Sequence, residues 1–160
     1  MTTIDNSEIK NQLKITNIIF FALTLGILSF FLIITVLIQN KERSNSDELD
    51  KIFTFLVPVF GLMMMFVSRM IYNQTISKFP SAGNLLQKII YYRTAKIVSW
   101  AMIEGACFLA IIATMLTSNY LYAAVFIFLF GYFFLIKPSK DSLIRDMCLN
   151  SDEIDLILKS

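Results

Sequence analysis

The sequence predicts an all-α integral membrane protein: a four-helix transmembrane bundle, an amphipathic interfacial helix before the third span, and a short helical cytoplasmic tail. Three observations predict it. Of 160 residues, 56% are hydrophobic and only 16% are charged, against about a quarter charged in a soluble domain. The mean hydropathy is +0.66. Apolar stretches approaching the roughly 20 helical residues that cross a hydrocarbon core recur four times.

The first span runs from about Ile15 to Gln39 and carries no charge between Lys14 and Lys41. Lys10 and Lys14 ahead of it resemble the start of a signal peptide, but the apolar run is too long and no small-residue cleavage site follows, so it is expected to stay in the mature protein. The second span, about Ile52 to Tyr72, carries Arg69 near its end, and Pro58 and Gly61 predict a kink there. The third, about Ile97 to Thr117, is interrupted only by Glu104; the fourth, about Tyr120 to Ile136, is short and rich in phenylalanine. Residues 1–137 thus form a transmembrane domain and residues 138–160 a cytoplasmic tail. Spans one–two and three–four share no repeat, which argues against an inverted-repeat transporter.

Orientation follows from the basic residues. With both termini cytoplasmic, Lys10, Lys14, Arg69, Lys78, Lys88, Arg93, Lys96, Lys137, Lys140, Arg145 and Lys159 lie inside, and only Lys41, Arg43 and Lys51 outside. Eleven against three is a positive-inside signal, and the expected location is a cell inner membrane. The uncharged Ser118-Asn119 link suits a tight outer hairpin.

Between spans two and three, Phe79-Pro80-Ser81-Ala82-Gly83 breaks the helix. From Asn84, Leu85, Ile89 and Tyr92 alternate with Lys88, Arg93 and Lys96 as an amphipathic helix running into span three. This basic loop is expected to touch anionic membrane lipid. After Pro138, Ser139 can cap a helix presenting Leu143, Ile144 and Met147. Asn150 and Glu153 then form a capping box ahead of Ile154, Ile157 and Leu158. Helices this short are marginal alone in water, so the tail is expected to cover the 73–96 segment or a partner protein.

Composition also narrows the function. The chain has no histidine, which removes Ser-His-Asp and Cys-His catalysis and the usual ligand of zinc and iron sites. No cofactor, metal site or catalytic residue is expected, and a net charge of +2 gives no reason to expect nucleic-acid binding. Cys107 and Cys148 lie in contexts too different for a disulfide framework. Met63, Met64 and Met65 point three ways round a helix and read as packing rather than a copper site.

The candidate intramembrane polar site is Glu104 with Arg69. Carboxylates at depth cost about 2.5–3.5 kcal/mol on insertion scales and usually face a bundle interior. Three readings stand: a structural Glu104, protonated or paired with Arg69; a functional one carrying protons, a cation or a substrate amine; and a carboxylate awaiting another subunit's helix. Thr24, Ser29, Thr35 and Thr54 are each expected to bond their own helix. Ala22-Leu-Thr-Leu-Gly26 and Ala101-Met-Ile-Glu-Gly105 are small-xxx-small patterns expected to serve internal packing.

Tyr92-Arg93-Thr94-Ala95, Ala101-Met-Ile-Glu104-Gly105-Ala-Cys-Phe108, Lys137-Pro138-Ser139-Lys140 and Leu143-Ile144-Arg145-Asp146 together resemble a family of small, uncharacterised bacterial four-span membrane proteins. The resemblance covers the second half of the chain and implies a membrane location and a shared glutamate–glycine step, but no reaction. The expected function is a non-enzymatic structural or accessory subunit of a membrane complex, meeting a protein partner at the cytoplasmic tail. The alternative is a proton- or ion-coupled transport component using Glu104.

Overall fold

The computed structural model describes residues 6–39, 47–79 and 84–159. Pro80–Gly83, Lys41 and Arg43 lie outside the described residues. Among the described residues six helices follow in order: α1 (Asn6–Gln39), α2 (Asp47–Ser77), α3 (Leu85–Thr117), α4 (Tyr120–Leu135), α5 (Lys140–Asp146) and α6 (Ser151–Lys159). The first three hold 34, 31 and 33 residues, roughly 46–51 Å at 1.5 Å per residue, and so exceed a hydrocarbon core of about 30 Å. All three are long and apolar enough to cross a membrane; α4, with 16 residues, becomes a fourth span when joined to α5, from which it is bent by 71°. The chain is a multi-pass membrane protein with an all-helical bundle.

Both chain ends meet at one end of this bundle, here the termini end: Ile9 of α1 shares a buried cluster with Leu143 of α5 and Ile157 of α6. The opposite, hairpin end holds the α3–α4 turn. Ser118 adopts the left-handed conformation there, with φ of 53°, and its N–H closes α3 on Thr114 O. Asn119 Oδ1 accepts from Leu121 N at 3.0 Å and starts α4. Two residues suffice for the reversal because each end of the turn is capped.

α3 is the central helix and packs against α1, α2 and α4. Trp100, Ile103, Cys107 and Ile111 on it are fully buried. The amphipathic start of α3 and its transmembrane part form one uninterrupted helix, capped by a reciprocal Asn84–Gln87 box. No proline interrupts it and the apolar face stays in phase, so the backbone has no reason to break. α4 brings phenylalanines to α1: Phe133 stacks on Phe20 at 5.0 Å and Phe126 on Phe31 at 4.3 Å between ring centroids. Aromatic pairs of this kind add about 0.5–1.5 kcal/mol beyond burial. α2 remains helical through Pro58. Gly61 lets α4 come close, since a Cβ there would meet Leu129 at 3.2 Å.

The hydroxyls expected to bond their own helices do so: Thr24 to Phe20 O at 2.8 Å, Ser29 to Leu25 O at 2.6 Å, Thr35 to Phe31 O at 2.8 Å and Thr54 to Asp50 O at 2.7 Å. Each hydroxyl thereby finds an acceptor within its own helix, and Thr54 also meets another helix, at Tyr122 OH.

The tail is folded onto the termini end. Ser139 and Ser142 cap α5 reciprocally. The Asn150–Glu153 box starts α6, with Glu153 N to Asn150 Oδ1 at 2.9 Å and Asn150 N to Glu153 Oε2 at 3.0 Å. Leu143, Met147, Leu149 and Ile157 bury themselves against Ile9, Tyr72 and the Leu85, Ile89 and Tyr92 face of α3, with Ile144, Ile154 and Leu156 at the margin. Leu158, expected on the apolar face, is exposed; Leu156 takes that role. Lys88 Nζ clamps both Glu153 oxygens at 2.9 and 2.8 Å, and Tyr92 shares a hydrogen bond with Ser142. These contacts carry two short helices that could not stand alone.

Replacing Leu143 with alanine should therefore cost about 2–5 kcal/mol and make the chain beyond Pro138 susceptible to limited proteolysis. The exposed Asp155→Ala exchange should stay within about 0.5 kcal/mol of the parent. Thermal unfolding in detergent, read beside a protease time course, checks both.

Candidate functional site

A cavity of about 620 Å³ opens at the termini end between the last turns of α2, the first half of α3, the end of α4 and α5. Arg69, Tyr72 and Asn73 come from α2, Lys96 and Ser99 from α3, and Arg145 and Asp146 from α5. Each is placed by a local anchor. Ser68 Oγ meets Ser99 Oγ at 2.6 Å and sets the register of α2 on α3. Trp100 Nε1 donates to Ile136 O at 3.1 Å and fixes where α4 ends. Tyr72 OH donates to Asp146 Oδ2 at 2.5 Å and holds α5 over the ends of α2 and α3.

Lys96 is the unusual member. Its side chain is 7% exposed. The ammonium lies 4.7 Å from the Tyr72 ring centroid and 5.4 Å from that of Tyr92. It reaches Ile136 O at 3.5 Å. Cation–π contacts offset part of the cost of burying a cation. Asp146, the acid in the cavity wall, is engaged by Tyr72 and by Arg145 Nε at 3.2 Å. Arg69, Lys137 and Arg145 are exposed around the cavity. The arrangement can hold an anion; it brings together no acid–base or nucleophile pair of recognisable catalytic form.

The expected Glu104–Arg69 pair does not form. Among the described residues the ion pairs are Lys88–Glu153 and Arg145–Asp146. The Ser68–Ser99 contact explains why: Glu104 lies five residues beyond Ser99 toward the hairpin end, while Arg69 lies one beyond Ser68 toward the termini end. The two are thus separated by about 9 Å along the axis at 1.5 Å per residue. Arg69 lines the cavity instead. Glu104 is half-buried, and no hydrogen bond reaches its carboxylate among the described residues.

The small-xxx-small patterns also depart from expectation. Ala22, Gly26, Ala101 and Gly105 are all exposed on the outside of the bundle. A Cβ added at Gly26 or Gly105 would meet nothing within 4 Å. Ala101 and Gly105 border a shallow groove with Phe60 and Met64 of α2. The sequence spacing identifies a thin helix face but not the direction in which it is turned.

Sequence reasoning missed the polar clasp of the hairpin end. Tyr122, fully buried, donates to Asp50 Oδ1 at 2.7 Å, and Asn119 Nδ2 donates to the same carboxylate at 3.0 Å. Thr54 Oγ1 lies 3.2 Å from the Tyr122 hydroxyl. An aspartate one turn ahead of a hydroxyl at the start of an apolar run was the available signal. Compared with known protein families, curated proteins and solved structures, the chain matches none of them.

Because Glu104 stabilises no counter-charge, Glu104→Leu should be at least as stable as the parent in a thermal melt. The loss of about 3–5 kcal/mol that follows breaking a buried ion pair should be absent. A loss of stability of that size, matched by Arg69→Leu, would restore the pair.

Proposed function

We propose that this chain is a non-enzymatic accessory subunit of a membrane complex in a bacterial inner membrane, with both termini cytoplasmic. The observation that carries the reading is Glu104: a half-buried carboxylate in the third span, without a counter-charge among the described residues, next in sequence to the exposed Gly105 and one turn from the exposed Ala101. Small residues allow another helix to approach closely, and that helix can supply the donor that Glu104 lacks. The tail supports the reading from the other side. Its apolar faces are consumed by the bundle, which leaves Asp141, Asp152, Asp155 and Lys159 exposed as a fixed charged surface for a cytoplasmic partner. Orientation is supported by the eleven basic residues belonging to the termini end, against Lys41, Arg43 and Lys51.

A transport role for Glu104 is the competing reading, favoured by the carboxylate's partial exposure within the third span. Purification in mild detergent separates them. Gly105→Leu, whose Cβ meets no neighbour within 4 Å among the described residues, should leave the stability within about 0.5 kcal/mol of the parent and abolish recovery of a stoichiometric membrane partner. Proton uptake into liposomes by the lone protein, lost in Glu104→Gln, would overturn the accessory reading.

Topology has its own test, because Cys148 is exposed and Cys107 buried. A membrane-impermeant maleimide should label Cys148 in inverted vesicles and not in intact cells. Ser118→Cys in a Cys148→Ser background should show the reverse. Labelling of Cys148 in intact cells would invert the orientation.

A further inference from the structure

Two cavities lie on one seam. The polar cavity at the termini end and an almost wholly apolar groove of about 350 Å³ are both walled by α2 and α4. On α2, Pro58 and Leu62 line the groove, and Arg69, Asn73 and Ile76 line the cavity. Spacings of three, four and seven place them on one helix face. On α4, Leu121, Val125 and Phe128 continue in the same way to Tyr132 and Leu135. From Arg69 to Pro58 the seam runs about 16 Å along the helix axis. α2 and α4 meet less extensively than either meets α3, which is why the seam is open.

The charge at its polar end is net positive. Arg69, Lys96, Lys137 and Arg145 against Asp146 leave a formal +3. Lys96 has three N–H donors and spends them on one carbonyl at 3.5 Å and two aromatic faces. Asp146 is bonded to Tyr72 and Arg145. Beside the cavity Leu135 is 82% exposed, so the cationic site passes directly into an apolar surface.

We propose that this seam binds one anionic glycerophospholipid, its phosphate in the cationic cavity and an acyl chain along the apolar groove. Basic pockets between transmembrane helices recognise such headgroups. The order of the two sites, charged at the end of the bundle and apolar further in, matches the order of a lipid in its leaflet. The phosphate supplies oxygen acceptors to the Lys96 ammonium, which otherwise meets one carbonyl at 3.5 Å and two aromatic faces. The proposal is independent of the accessory role, because the groove at Ala101 and Gly105 lies between α2 and α3 instead.

The test is a titration of the purified full-length protein in neutral detergent with phosphatidylglycerol, phosphatidylcholine or sodium phosphate, read as the shift of the thermal midpoint. Phosphatidylglycerol should raise the midpoint in a saturable manner, and the other two should not. The exposed triple exchange Arg69→Gln/Lys137→Gln/Arg145→Gln should weaken apparent affinity on the order of a hundredfold, at about 1 kcal/mol per basic residue, while leaving the ligand-free midpoint in place. If that midpoint falls, Arg145→Gln alone carries the test, with about a fivefold weakening expected. Ala124→Phe, which fills the groove from an exposed position, should weaken binding as well. Equal stabilisation by phosphatidylcholine, or unchanged affinity in the charge variants, would overturn the site. Equal stabilisation by sodium phosphate would overturn the lipid as its occupant, and an unaffected Ala124→Phe would remove the acyl chain from the groove.

Discussion

The backbone carbonyl of Ile136 is where the termini end of the molecule is assembled. It is left free by the end of α4, and it accepts from Trp100 Nε1 at 3.1 Å and from Lys96 Nζ at 3.5 Å. Helix ends carry orphan carbonyls that must find donors when buried, and here both donors come from the central helix. The end of α4 is thereby tied to α3. From it the chain passes Pro138, bends by 71° and enters α5 under the Ser139 cap. The tail's clamps, Tyr72 to Asp146 and Lys88 to Glu153, depend on that placement. So does the cavity, which is the space left between a fixed α4 end, the last turns of α2 and the docked α5.

What was legible in the sequence is what period and local chemistry control. Apolar length gave the spans, Asn150 and Glu153 announced their own capping box, and Leu143 and Ile157 could be assigned to a buried face because the tail is strongly two-sided. The rotation of each span about its axis was not legible. A helix that is apolar all round carries little information about which face meets lipid and which meets protein. The small-xxx-small stripes were therefore placed inward when Gly26 and Gly105 face outward. The Glu104–Arg69 pairing failed for a related reason. Depths counted from span ends carry errors of several ångströms, and the register is set by Ser68 and Ser99, two small residues with no sequence signal of their own.

The cost of Lys96 links fold to site. A lysine at the membrane boundary normally extends its ammonium toward water. This one is held under the tail by Tyr72 and Tyr92, whose hydroxyls are themselves bonded to Asp146 and Ser142 of α5. Docking the tail therefore encloses a cation. A protein built only for stability has cheaper residues for that position, since an apolar side chain of similar volume avoids the desolvation. Retaining a cation under two aromatic rings, at the wall of a cavity with three further basic side chains, is the composition expected of a site that receives negative charge.

α2 then acquires a distinct place in the architecture. Phe55 and Phe66 project outward from it, and it borders both open grooves, one shared with α4 and one with α3. It packs most extensively on α3, and its contacts to the other elements are well separated: Asp50 and Thr54 to Tyr122 at the hairpin end, Gly61 against Leu129, and Tyr72 against the tail. A helix packed along one face on α3 and touching α4 at few places leaves surface on either side that its own bundle does not fill. One of these surfaces ends in basic side chains and the other is lined by apolar and small residues, so the two grooves differ in charge as well as in position. Lipid and a neighbouring helix can occupy them at the same time, because filling one leaves the other uncovered.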